Sequence, residues 1–233
     1  MTGPPKAVKI SCKGKQEMQK KQKILITIAR QFGSGGSFIG KALAGRLGFR
    51  YFDREILKQA ADILGAQEST LSGREEKLSG FLLDFIRPFI VGSPEAAYVP
   101  PPMHAVYDRE LFEAESRVIR EIGGKFDAVI VGRGARHVLA GQPGLVNVFI
   151  HAPRDFRVAR VMEIYRMDDA QEAGKLVDRS DRNRARFIET MTGEDWTDLR
   201  NYHLSIDSGR TGLKAAQEMV LLLVEQVKSE LGV

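Results

Sequence analysis

The sequence predicts an α/β protein: one three-layer α/β/α domain built around a five-stranded parallel sheet, with a helical insert. Three observations carry this expectation. Residues 24–28, ILITI, form a continuous apolar and β-branched run of the kind that makes a strand buried on both faces. A glycine-rich turn, 31–37, follows and leads directly into apolar residues at Ile39, Leu43 and Leu47, one face of a helix. Strand and helix patterns then alternate to the end of the 233-residue chain, a length that suits one domain.

Each element has its own signals. The first helix carries Ala42 beside its apolar face and stops at Gly48. A short strand over 49–52 leads to Asp53, which is placed to cap a helix running to about Leu64. From about 65 to 102 the pattern changes: 69–90 reads as one or two amphipathic helices, and Pro100-Pro101-Pro102 ends them in an irregular linker. The stretch 66–104 is therefore an expected insert. A helix over 107–122, a strand over 128–131 and a strand over 146–150 come next. Pro153 stands at the expected first position of a helix over 154–167, and a strongly charged helix covers about 170–190. The last strand is expected over 203–207, followed by a helix over 212–231 capped by Thr211.

The formal charge of +5 suggests nucleic acid until its distribution is examined. Residues 1–23 hold seven lysines against Glu17, a surplus of six, so the remainder of the chain carries −1. The basicity belongs to a polar tail without periodicity, expected to be disordered, and the domain proper is 24–233. No specific nucleic-acid partner is expected. No apolar run has the length of a signal peptide or a membrane span, and the single Cys12 cannot close an internal disulfide, so a cytoplasmic protein is expected.

Glycines between a buried strand and a helix allow backbone N–H groups to converge on an anion, aided by the helix dipole. Two registers compete for a phosphate loop here. One uses Gly35 and Gly40-Lys41 but puts Ala42 where a magnesium-binding hydroxyl belongs. The other runs from Arg30 to Gly36, with Ser37 opening the helix and Gly36 at the lysine position. The second keeps the helix face whole and is preferred. Gly33, Ser34, Gly35, Gly36 and Ser37 are then the phosphate-binding residues, Ser37 is the candidate magnesium contact, and the domain is of the P-loop NTPase type. A dinucleotide fingerprint is the rival reading, with Asp53 at the required distance. Phe38 stands where its third glycine should be, and no hydride-transfer residue is evident. A glycine turn without a ligand is the third alternative.

The segment ITIARQFGSGGSFIGKALAGRLGFRYFDREIL resembles the cytidylate kinase-like branch of P-loop nucleoside monophosphate kinases. Three later segments are similar to that family in the same order: 129–134 (VIVGRG), 149–160 (FIHAPRDFRVAR) and 178–184 (DRSDRNR). The resemblance spans about 24–230 and implies a phosphotransferase using ATP and Mg2+ on CMP, dCMP or a related small acceptor. It implies that Asp53 lies near the acceptor, that Arg133 reaches the acceptor phosphate, and that Arg157 and Arg160 approach the ATP phosphates from a lid over about 153–195. Asp181 and Arg184 match the pair that contacts the nucleotide. Three departures stand out: Gly36 replaces the lysine, Phe38 the threonine after it, and Gly134 the aspartate of Gly-Arg-Asp.

Phosphoryl transfer needs in-line positioning and positive charge more than covalent chemistry, and arginine suits it with a planar, permanently charged fork. Arg30, Arg133, Arg157 and Arg160 are the candidate catalytic residues, and Arg30 or a lid arginine is the candidate substitute for the lysine. Duller readings stand beside these. Asp53 can be a helix cap alone, Arg157 and Arg160 a solvated face, and 178–186 a run of surface ion pairs worth little. Trp196 and Phe187 can stack on a base or pack in a core. The four histidines have no metal-ligand spacing. The alternative function is a nucleotide-binding or sensing protein that keeps the fold without turnover, with the missing lysine as its motive.

Overall fold

The computed structural model describes residues 22–68 and 109–233. The expected insert at 66–104 lies outside them apart from its first three residues, as does nearly all of the basic tail. The parallel strands are β1 (Leu25–Arg30), β2 (Arg50–Phe52), β3 (Ala128–Val131), β4 (Leu145–His151) and β5 (Leu204–Asp207). They lie in the order β2-β3-β1-β4-β5, so β1 is central, paired with β3 and β4. The helices are α1 (Gly36–Leu47), α2 (Arg54–Glu68), α3 (Arg109–Lys125), the short α4 (Ala135–Val138), α5 (Arg154–Tyr165), α6 (Ala170–Thr192) and α7 (Ser208–Leu231).

The alternation of side chains along β1 divides the core. Ile26 and Ile28 point into an apolar cluster with Ile39 and Leu43 of α1 and Val220 and Val224 of α7. Leu25 points the other way, into a cluster with Leu57 of α2, Ile119 and Ile122 of α3 and Leu139. This is the expected three-layer domain, because a strand buried on both faces needs helices on both sides. Thr27 and Asn147 are buried polar residues inside the sheet, and the Thr27 hydroxyl donates to Asn147 Oδ1 at 2.6 Å. No helix among the described residues is long and apolar enough to cross a membrane.

Several boundaries differ from expectation for local reasons. The first helix opens one residue early, at Gly36, after Gly35 takes up a left-handed conformation. Phe49 precedes β2, and His203 precedes β5. Pro153 is the cap before α5 and not its first residue, and α5 ends at Tyr165 because Arg166 turns left-handed. The largest correction is at the C-terminus. Asp207 caps a helix starting at Ser208, accepting from the Gly209 and Arg210 N–H groups, and Gly212 at φ 74° and ψ 160° interrupts it. Thr211 does not cap; its hydroxyl donates back to the Asp207 carbonyl at 3.0 Å.

Candidate functional site

The loop from Gln31 to Gly35 joins β1 to α1, at the C-terminal edge of the sheet where open α/β folds bind ligands. Its inner side is fastened by serines. Ser34, fully buried, shares its hydroxyl proton between the Gln31 and Ile150 carbonyls, and the Ser208 hydroxyl donates to the Ser34 carbonyl at 2.7 Å. The Ser34 side chain therefore holds the loop, and its backbone N–H donates to the Gln31 carbonyl at 3.3 Å. The N–H groups of Gly33, Gly35, Gly36 and Ser37 have no partner among the described residues. Unpaired donors at a glycine turn and helix N-terminus fit the phosphates of a nucleotide. For magnesium the fit is narrower: the Ser37 hydroxyl stands in this first turn, and no group of three acidic, histidine or cysteine side chains among the described residues could hold an ion.

The outer side is gripped by α5 and α6. The Asp181 carboxylate accepts from the Phe32 N–H at 2.8 Å, from Arg157 at 2.5 Å and from Arg184 at 3.2 Å. Arg157, 7% exposed, also donates to the Phe32 carbonyl at 3.2 Å and to the Ala152 carbonyl at 2.9 Å. Both polar groups of the Phe32 backbone are thus held by one buried ion pair. The Phe32 ring packs among Val158, Val161, Ala173 and Val177 and stacks on Tyr165. Arg157, expected near the ATP phosphates, here donates to the loop backbone, and Asp181, expected at the nucleotide, accepts from the Phe32 N–H.

Arg30 accounts for the unusual glycine. A Cβ on Gly36 would stand 2.5 Å from the Arg30 Cβ, and a Cβ on Gly132 would collide with the Arg30 guanidinium. The Arg30 side chain therefore runs from the lysine position of the loop to the turn after β3. That turn holds three successive left-handed residues, Gly132, Arg133 and Gly134, at φ 86°, 55° and 65°. An aspartate at 134 would meet both the backbone cost and the Phe112 ring, 3.3 Å from its Cβ.

Beside this turn a cleft opens between the sheet edge and α6. Among the described residues six arginines line it: Arg30, Arg54, Arg133, Arg136, Arg179 and Arg184. Glu194 is, among the described residues, the one acidic side chain on its wall, and it pairs with Arg136 and with His137 Nδ1 at 3.0 Å. Phe187, Trp196 and Tyr202 supply aromatic surface. Trp196 and Tyr202 both pack on Phe149, and burial pushes the Tyr202 phenol up to about 12. Burial, with Arg136 and Arg120 nearby, lowers the His137 titration.

The sequence-predicted residues therefore divide. Arg30, Arg133 and Arg184 meet at the cleft. Arg160 stands over the Phe38 ring, 5.9 Å from its centroid, with Nε buried and, among the described residues, unbonded at the start of α1. Asp53 does not line the cleft; Oδ1 accepts from the Glu55 and Ile56 N–H groups and caps α2. The sequence reading missed Arg54, Arg136, Arg179 and the buried Glu115, which pairs with Arg133. A signal for Glu115 existed: it is a charged residue on the α3 face otherwise formed by Ala114, Val118, Ile119 and Ile122.

A central β1 in a parallel sheet, a glycine loop with unpaired N–H groups and an arginine-lined cleft beside it define a P-loop protein of the kinase-like class. The chain belongs to the cytidylate kinase-like family, whose model matches residues 25–210. No curated protein matches it. Among solved structures it is similar to an uncharacterized protein from Eubacterium ventriosum ATCC 27560, at 22% identity and TM-score 0.65, covering 87% of this chain and 99% of that one. It is also similar to shikimate kinase from Bacteroides thetaiotaomicron, at 16% identity and TM-score 0.47, covering 87% and 98%. A gluconokinase from Sinorhizobium meliloti 1021 aligns at 14% identity and TM-score 0.47, covering 91% and 99%.

Proposed function

We propose that the protein is an ATP-dependent phosphotransferase acting on a small anionic acceptor, with CMP and dCMP the first candidates. The observation that carries this reading is the position of Arg30, which links the glycine loop to the arginine-lined cleft. In this reading the loop N–H groups hold the ATP phosphates, Arg160 adds charge at the start of α1, and the cleft holds the acceptor. Ser37 and the nucleotide itself would hold magnesium, which would neutralise charge on the phosphate groups. An acceptor oxygen bonds to the γ-phosphorus while the bond to the ADP oxygen breaks. A phosphate acceptor is already ionised at neutral pH, so no general base is required. Arg30 lies between donor and acceptor, where negative charge accumulates, and takes the part of the missing lysine. The segment 153–195 acts as the wall that fixes the loop. Gly36 favours a second reading, a nucleotide-binding protein without turnover.

The test is a coupled phosphotransfer assay with ATP-Mg against a panel of monophosphates. The proposal expects turnover of one acceptor. Tight ATP binding with no transfer to any acceptor would favour the second reading.

A further inference from the structure

We infer that the outer face of α6 is a binding stripe for the phosphodiester backbone of a nucleic acid, held by charge and not by base sequence. The inference stands apart from the phosphotransfer reading.

Lys175, Arg179, Arg182 and Arg186 are all exposed, and they recur at i, i+4, i+7 and i+11 of α6. At 3.6 residues per turn these positions fall within an arc of about 60°, so the four cations form one line about 16 Å long. Ala173, Val177 and Asp181, which face the core or the phosphate loop, lie on the opposite side of the helix. Arg179 also lines the cleft, so the stripe borders it.

A charged run such as 178–186 ordinarily resolves into surface ion pairs, and this one does not. Its two carboxylates are held by arginines off the stripe. Asp178 pairs with Arg154 at 2.9 Å, and Asp181 with Arg157 at 2.5 Å and Arg184 at 3.2 Å. Arg182 acts on Asp178 only as a nearby charge. Among the described residues none of the four stripe cations makes an ion pair.

The chemistry of the line selects its occupant. No other residue of 175–186 is exposed, so no apolar or aromatic side chain stands among the cations. The stripe therefore lacks the buried anchor of a protein interface and the apolar face that seats a helix in a membrane surface. It also lacks a ring on which a base could stack. A row of cations is sufficient for a phosphodiester backbone, where release of condensed counterions supplies the affinity. Three of the four are arginines, whose planar fork grips a phosphate at two points. Overall charge hides the feature, because the chain outside residues 1–23 carries −1.

The experiment is fluorescence anisotropy of a short labelled oligothymidylate with the full chain, at about 50 to 200 mM salt. Wild type is compared with Arg182→Gln/Arg186→Gln and with Lys175→Gln/Arg186→Gln, and thermal melts show that each is folded. Wild type is expected to bind, and to bind oligocytidylate of the same length equally well. Each double variant is expected to lose at least tenfold in affinity at the lowest salt. The slope of log K against log salt is expected to shrink by about 1.4, the share of two phosphate contacts on a single strand. ATP affinity is expected to be unchanged. Wild type that binds no oligonucleotide at the lowest salt would overturn the inference. So would folded variants with wild-type affinity and slope, which would put the strand on the lysines of residues 6–23 instead. Sedimentation of wild type but not the variants with phosphatidylserine vesicles, without oligonucleotide binding, would make the face a membrane site and overturn it as well.

Discussion

The Arg30 Cβ lies 2.5 Å from the point a Cβ on Gly36 would occupy, so the two positions cannot both carry ordinary side chains in this arrangement. The absence of a side chain at 36 and the presence of one at 30 are one steric exchange. Gly36→Lys is therefore expected to restore nothing. Forcing the side chain against the Arg30 stem is expected to cost about 1–3 kcal/mol, read by urea unfolding. ATP affinity is expected to fall. A stable Gly36→Lys variant with higher activity would show that the exchange is not coupled.

Asp181 joins α6 to the loop by accepting from the Phe32 N–H and from Arg157. Asp181→Asn is expected to destabilise the protein by about 1–3 kcal/mol, more than an exposed ion pair would. It is also expected to raise KM for ATP at least tenfold while leaving KM for the acceptor in place. Steady-state kinetics in both substrates check this. Loss confined to the acceptor would mean that Asp181 touches the acceptor after all.

Arg160 meets the Phe38 ring at the start of α1 and has a buried Nε that is unbonded among the described residues. Arg160→Ala is expected to weaken ATP more than ADP, since its charge is assigned to the outer phosphates. Equilibrium titration with both nucleotides reads the ratio, and equal weakening would place Arg160 elsewhere.

Burial raises the Glu115 titration above the usual carboxylate range, while Arg133 and Arg54 oppose the shift and Asp62 adds to it. Because the folded-state value is raised, the carboxylate takes up its proton earlier than an ordinary glutamate as pH falls. Protonation weakens its hold on Arg133. Acceptor KM is therefore expected to rise on the acid side, starting above the ordinary glutamate range, and Glu115→Gln is expected to abolish that limb. An identical pH profile in the variant would remove Glu115 from acceptor binding. The sign for stability is opposite to that of a salt bridge that lowers its carboxylate. The protonated form is favoured by folding, so this group's contribution declines as pH rises from the ordinary to the raised value.

The middle of the sheet was legible because β1, β3 and β4 are largely apolar on both faces; Ala128–Val131 is bounded as the residue pattern indicates. Helix starts were less legible where a cap and a break fall together. Asp207 opens α7, but Gly212 hides the first turn from any periodicity. The loop was legible as a phosphate loop from its glycines, whereas its fastening was not. The bond from Asp181 to Phe32 spans 149 residues, and Asp-Arg spacing within 178–184 does not distinguish a loop clamp from a nucleotide contact. The reason for Gly36 was equally hidden, since it depends on the path of the Arg30 side chain in three dimensions.

The most direct test of the account is phosphotransfer by wild type, Arg30→Ala and Arg133→Ala with ATP-Mg and the monophosphate panel. The account predicts that wild type turns over one acceptor. Arg30→Ala should lower kcat by about 10²–10³-fold with KM for both substrates changed little, as for loss of a transition-state donor. Arg133→Ala should chiefly raise KM for the acceptor. Full activity in Arg30→Ala would contradict the claim that this arginine replaces the lysine.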